Sequence, residues 1–201
     1  MSAAPPVDRS EPATVRERMA PLEPPYPDDV AAHLARTMPS WSKEPPLRLF
    51  RTFARNFPMA QAMFGLGGFI LARGTLDPAD REILILRTCA RCGAEYEWGV
   101  HAVSYPPRLG IDEKQVAATF AAGPDASVFT ERQALLVRIS DELHDTSTLC
   151  EASWNEAAAV FDEAQLLEIL LVAGFYHFIS YAVNATGVTR ESWAARFPSV
   201  G

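Results

Sequence analysis

Apolar residues recur three and four positions apart along most of the chain, and Asp, Thr, Gly and Pro fall where those stripes begin and end. Asp28 or Asp29 is expected to cap a helix through Val30 to Arg36, Pro45-Pro46 opens Leu47 to Arg55, and Pro58 starts a segment to about Ala72. Asp77-Pro78-Ala79-Asp80 is a strong start signal: an Asp cap, a proline at the first helical position and an acid in the first turn all suit the free amides there. That helix runs through Glu82 to Cys89, and a second start near Gly93 carries the pattern to about Ser104, where Pro106-Pro107 ends it. Gly110-Ile111-Asp112 caps a short helix to Ala121, Gly123-Pro124 breaks the chain, and Thr130 opens Ala134 to Leu143. The last helices span about Glu151 to Phe161 and Asp162 to Asn184. No segment alternates with the period of a strand, so the predicted fold is all-α.

The longest apolar run, Leu166 to Val183, contains Glu168 and His177 and is followed by Asn184. A spanning helix needs roughly 20 nearly charge-free residues. A core helix buried nearly all round fits better, and no membrane partner is expected.

Residues 1–27 hold seven of the sixteen prolines, which remove backbone donors that a helix or sheet needs. An extended N-terminal arm is expected there, available to pack on a neighbouring subunit, followed by a single all-α domain over residues 28–201. With 201 residues and 48% hydrophobic content, the chain can bury a substantial core. The net charge of -7 and the lack of a basic run argue against nucleic acid as a partner. The N-terminus carries no apolar stretch of signal-peptide length, so a cytoplasmic location is expected. Three cysteines do not make a disulfide framework, and Cys-x-x-Cys in a reducing compartment is more often redox-active or metal-binding than structural.

Candidate chemistry concentrates between Glu82 and His101. Glu97 and His101 are four residues apart, so on a helix they share a face, where a carboxylate can hold and tune an imidazole. The plainer reading is a solvated helix pair worth only about 0.2 to 0.5 kcal/mol. Tyr96 and Trp98, two large aromatics beside the pair, suggest a partly desolvated pocket. Glu82 sits against the apolar run Ile83 to Leu86 and needs a partner, either Arg81 or Arg87 in a salt bridge or His101 from the neighbouring helix. Cys89-Ala90-Arg91-Cys92 offers thiol redox chemistry, with Arg91 able to lower a thiol pKa. On one continuous helix Cys92 and His101 point in opposite directions, and a break at Gly93 would be needed to pair them. A zinc site is disfavoured, because His33, His144 and His177 show no ligand spacing, and no metal or cofactor is expected. Cys150 reads as a buried small hydrophobe. His177 reads as a satisfied core histidine, with pocket lining as the alternative.

The string Asp80-Arg-Glu-Ile-Leu-Ile-Leu-Arg-Thr-Cys-Ala-Arg-Cys-Gly-Ala-Glu-Tyr-Glu-Trp-Gly-Val-His101 resembles the carboxymuconolactone decarboxylase family, which also contains the alkylhydroperoxidase D proteins. It is most similar to a subgroup with a Tyr-Glu-Trp-x-x-His motif. Leu47 to Pro58 upstream and Gln165 to Tyr176 downstream extend the resemblance over about residues 46–188. The resemblance implies an alkylhydroperoxidase D-like helical bundle that forms a homo-oligomer (a dimer, trimer or hexamer), with the site near subunit contacts. In the peroxidase branch a Glu is followed by Cys-x-x-Cys-x-x-x-His. Setting His101 on the family His puts Glu82 on the family Glu, but the cysteine positions then fall on Ala94 and Glu97, leaving Cys89 and Cys92 out of register. Catalytic roles for Glu82, Glu97 and His101 therefore suit proton transfer on a small carboxylated or lactone-type molecule. Two alternatives stay open: a thiol-dependent peroxidase or disulfide reductase using Cys89 and Cys92, and a non-catalytic oligomeric binding protein.

Overall fold

Asp77 starts the helix around which the others pack. Its side chain accepts from the amides of Ala79 and Asp80, and Pro78 supplies the first helical residue. In the computed structural model, which describes residues 16–38, 44–121, 123 and 126–199, ten α-helices follow in the order α1 (Asp28–Arg36), α2 (Arg48–Phe53), α3 (Phe57–Ala72), α4 (Pro78–Arg91), α5 (Glu95–Ser104), α6 (Pro106–Leu109), α7 (Glu113–Phe120), α8 (Glu131–Thr146), α9 (Glu151–Val160) and α10 (Glu163–Thr186). Short 3-10 turns lie at Ala54–Asn56 and Ala126–Val128, and the described residues contain no strand. The fold is the expected all-α bundle. Asp112, Thr130 and Asp162 each form a reciprocal capping box with the glutamine three residues on, fixing the starts of α7, α8 and α10.

Local details depart from the sequence reading in three places. Asp28 and Asp29 lie in the first turn of α1 behind Pro27 and do not cap it; their charges suit the positive end of the helix. Pro106-Pro107 ends α5 but also begins the single turn of α6, since proline is well placed at a helix start. Cys150 is exposed rather than buried, because it precedes α9 at the surface, where its Sγ lies 3.4 Å from Ser153 Oγ.

Helix α4 is buried continuously from Asp80 to Cys89 and packs against α5, α7, α8 and α10. Burial on every side requires each charged residue on it to find a partner. Arg87 does so toward α8, with Nε and Nη2 on the two carboxylate oxygens of Asp141 at 2.6 and 2.8 Å; Nη1 donates to the carbonyls of Thr119 and Ala121 at the end of α7. This bidentate pair joins three helices. Glu168 on α10 similarly accepts from the amide and hydroxyl of Thr75, at 2.6 and 2.9 Å, holding the turn that leads into α4.

The C-terminal segment closes over α5. Ala195 donates to the Gly99 carbonyl at 3.1 Å, and any Cβ at Gly99 would overlap the Ala195 carbonyl. Residues 16–27 run without helix over their own chain: Arg18 and Met19 donate to Thr186, and Leu22 to Arg51. The rest of the expected arm, residues 1–15, and Pro124 of the expected break lie outside the described residues.

Helix α10 buries Leu166, Ile169, Val172, Ala173, Tyr176, Ile179 and Val183 as one stripe. It is the one helix among the described residues long and apolar enough to cross a membrane. Contrary to the expectation of burial nearly all round, its other face is open: Leu167 is 70% and Tyr181 63% exposed, with Leu170 and Phe178 between them.

Candidate active site

The turn at Gly93, with φ of +63°, separates α4 from α5 and lets the second helix fold back against the first. This brings His101 over Glu82. His101 Nδ1–H donates to Glu82 Oε1 at 2.8 Å, and Nε2 lies 3.5 Å from Glu97 Oε1 one turn earlier on α5. Glu82 is fully buried and Glu97 and His101 nearly so. Among the described residues neither Arg81 nor Arg87 forms an ion pair with Glu82. Arg87 turns to Asp141, and the partner that balances the buried carboxylate is the imidazole.

A cavity of about 540 Å³ opens beside these residues, between α2, α3, α5 and α10. Glu97 and His101 line it, whereas Glu82 stands behind the imidazole and does not reach it. Glu97, whose spacing suits a carboxylate that holds and tunes the imidazole, is 3.5 Å from Nε2, and the closer carboxylate is Glu82 at 2.8 Å. Glu82 positions the ring from behind, and Glu97 faces the ligand space. Glu97 Oε2 is buried without a hydrogen-bond partner among the described residues, so an acceptor is held at the cavity wall.

Burial alone would lower the pKa of the imidazole. The charge and hydrogen bond of Glu82, joined by those of Glu97, outweigh it and raise His101 to about 10. The ring is therefore held in its protonated form at neutral pH. Tyr105 stacks on the ring at 4.8 Å and Tyr176 meets it edge-on at 5.1 Å. Burial, then Glu82 and Glu97, push the Tyr105 hydroxyl up to about 12, so the phenol stays protonated. Tyr105 is one turn beyond His101 on the same helical face, a spacing that could have revealed it; Tyr176 comes from a remote helix with no such signal.

Tyr96 and Trp98 do not line the cavity, contrary to expectation. The Tyr96 hydroxyl donates to Glu191 at 2.8 Å and accepts from the Leu49 amide at 3.1 Å, while Trp98 Nε1 donates to Thr119 Oγ1 at 3.0 Å. Tyr96 projects away from His101, toward Leu49 and Glu191, and Trp98 turns toward Thr119 and Phe197, so both pack α5 against its neighbours rather than face the cavity. His177 does not line the cavity either; its Nε2 lies 3.1 Å from His144 Nδ1. Cys92 is turned toward His144, with Sγ to Nδ1 at 3.8 Å, so the break at Gly93 does not pair it with His101. Burial raises the Cys89 thiol well above its ordinary value, with Glu97 adding to the shift, and raises Cys92 despite Ser180 and Arg91. His33, which carried no motif spacing, does line the cavity, buried edge-on to Phe57 and Phe64 at 5.5 and 5.4 Å.

Residues 58–137, the span that holds Glu82, Glu97 and His101, match the model of the carboxymuconolactone decarboxylase family. No curated protein matches the chain. Among solved structures, an uncharacterized peroxidase-related protein from Silicibacter sp. is similar at 14% identity and a TM-score of 0.75, over 96% of this chain and 100% of that one. A protein of unknown function from Agrobacterium tumefaciens, described as a putative antioxidant defence protein AhpD, is similar at 16% identity and a TM-score of 0.60, over 69% of this chain and 95% of that one. The debrominase Bmp8, as a cysteine-to-alanine variant in complex with 2,3,4-tribromopyrrole, is similar at 16% identity and a TM-score of 0.65, over 87% and 92%. At these identities the likeness is one of fold, an all-α bundle common to all of them.

The raised His101 pKa has a signed consequence. The folded state holds this proton up to about pH 10, whereas the unfolded chain releases it near 6.5, so the stability it contributes is full below pH 6.5 and lost as pH rises to 10. Glu82→Gln removes the larger of the two carboxylate contributions. Urea unfolding of the wild type should lose stability between pH 6.5 and 10 more steeply than the variant, by up to one proton's slope of about 1.4 kcal/mol per pH unit. Parallel pH profiles would show that Glu82 does not hold the imidazolium.

Proposed function

We propose that this chain is a cofactor-independent enzyme of the carboxymuconolactone decarboxylase family that moves a proton on a small carboxylated or lactone-type substrate. The observation that carries the reading is the pairing, at one cavity wall, of an unpartnered Glu97 oxygen with an imidazolium held from behind by Glu82. Glu97 is the base that takes a proton from carbon next to a carbonyl, and His101 donates from Nε2 to the oxygen or carbon where the electron pair arrives. In an isomerisation the proton returns at a second carbon and nothing else is consumed. In a decarboxylation the C–CO₂ bond breaks, carbon dioxide leaves, and the retained electron pair takes the His101 proton, which solvent replaces. Phe53, Met63, Phe64 and Phe175 supply apolar walls that exclude water. The motif Tyr96-Glu97-Trp98-x-x-His101 fits this division of labour, its two aromatics packing α5 so that Glu97 and His101 face the cavity together.

The test is turnover of a panel of small lactone carboxylic acids, followed by product formation and by deuterium uptake from D₂O. His101→Gln and Glu97→Gln should each lower the rate at least about 10²-fold, while a Cys89→Ser, Cys92→Ser double variant should keep it. Loss of activity in the cysteine variant with His101→Gln unaffected would move the reading to thiol chemistry. Binding of these acids without turnover would favour the non-catalytic alternative.

We further propose that the protein assembles with other copies of itself through the open face of α10 and α3. Leu66, Leu170 and Phe178 line one apolar hollow between the two helices, and Phe69, Leu167 and Tyr181 are exposed on the same helices, the kind of surface that marks interaction sites. Sedimentation equilibrium should find a dimer or larger assembly, reduced toward monomer by Leu167→Glu with Tyr181→Glu; a wild-type monomer at micromolar concentration would contradict this.

A further inference from the structure

We propose that Cys92, His144 and His177 form a binding site for a zinc-like divalent cation, with one coordination position open to solvent. The three residues lie far apart in sequence, which is why ligand spacing gave no sign of them. The fold brings together the C-terminal end of α4, the last turn of α8 and the middle of α10, and the three candidate ligand atoms lie within 4.8 Å of one another.

The distances suit a tetrahedral ion. Zinc bonds of about 2.0 to 2.1 Å to nitrogen and 2.3 Å to sulfur place two nitrogens about 3.3 Å apart, and a nitrogen and a sulfur about 3.5 Å apart, at tetrahedral angles. The observed separations are 3.1 Å from His144 Nδ1 to His177 Nε2 and 3.8 Å from His144 Nδ1 to Cys92 Sγ. These two separations are within a few tenths of an ångström of the tetrahedral values, and the third, Cys92 Sγ to His177 Nε2, lies within 4.8 Å, so side-chain rotation has to close it by up to about 1.3 Å toward 3.5 Å.

The hydrogen bonding fixes the direction of one ligand. His177 Nδ1 lies 2.8 Å from the Ala173 carbonyl, which can only accept, so Nδ1 carries the proton and the neutral ring presents the Nε2 lone pair to the cluster. A backbone carbonyl behind a histidine is the usual way in which a metal-binding imidazole is oriented. Arg91 is held by Asp141 at 3.4 Å and by Asp145, which reduces its repulsion of an incoming cation. All three ligands are half-buried, so an ion has a path from solvent.

None of the three lines the Glu97–His101 cavity, so this site stands independently of the proposed reaction. A bound ion holds Cys92 as a thiolate and keeps it from pairing with Cys89 on the same helix. Without an ion the cluster is a His144–His177 hydrogen bond with a thiol beside it, and the two states are separable by experiment.

The untagged full chain, stripped with a chelator under reducing conditions, is titrated with Co²⁺ and followed by absorption, then with Zn²⁺ against a chromogenic indicator. One equivalent should bind, with a thiolate-to-cobalt charge-transfer band. Cys92→Ser should abolish the band, and His144→Asn and His177→Gln should each weaken affinity at least about tenfold. Cys89→Ser, Cys150→Ser and His101→Gln should bind as the wild type does, and circular dichroism should show every variant helical. Absence of one-equivalent uptake overturns the site, as does uptake unchanged by Cys92→Ser or lost with Cys150→Ser.

Discussion

A carboxylate with no exposure to solvent must be matched where it lies, and Glu82 is matched by the imidazole of His101 across the α4–α5 contact. Much else in the candidate site follows from that demand. The helix carrying His101 has to fold back on α4, which sets the turn at Gly93. His101 in turn has to point inward, which places Glu97, one turn earlier, on the wall of the cavity. The same contact raises the affinity of the imidazole for its proton, so a group that packs the core also carries a charge at neutral pH.

Helix α4 meets this requirement on more than one side. Glu82 is balanced toward α5, Arg87 toward α7 and α8, and Cys92 at the far end faces His144 and His177. On the opposite face the Arg87–Asp141 pair and its two carbonyl acceptors engage each guanidinium nitrogen of Arg87. A removed partner would leave a charge stranded at a depth where solvent cannot replace it. The paired charges fix the register of the neighbouring helices, while the apolar side chains between them supply the burial.

The helices were legible in the sequence because their starts and stops are local chemistry. Asp77-Pro78, Asp112, Thr130 and Asp162 satisfy amides within three residues of themselves, and all four start helices where expected. The meeting of Glu82 and His101 was also open to sequence reasoning, since an acid within a buried stripe demands a partner and few candidates were near. What periodicity could not give is the neighbour on the far side of each residue. Tyr96 and Trp98 flank Glu97 in the chain, but a helix turns them about 100° away, toward Leu49 and Thr119. His177 and Cys92 were assigned from their own surroundings, and their partner on α8 is dozens of residues away from either. The walls of the cavity, drawn from six helices, are equally non-local.

Glu82 and Glu97 together hold His101 as an imidazolium in the folded protein. NMR of ¹⁵N-histidine-labelled protein tests it by following the ring nitrogens of His101 from pH 6 to pH 11. The structure predicts that both nitrogens stay protonated until about pH 10, with the Nδ1 proton shifted downfield by its bond to Glu82. Deprotonation near pH 6.5, the ordinary value for histidine, would contradict the account and with it the role of His101 as an acid.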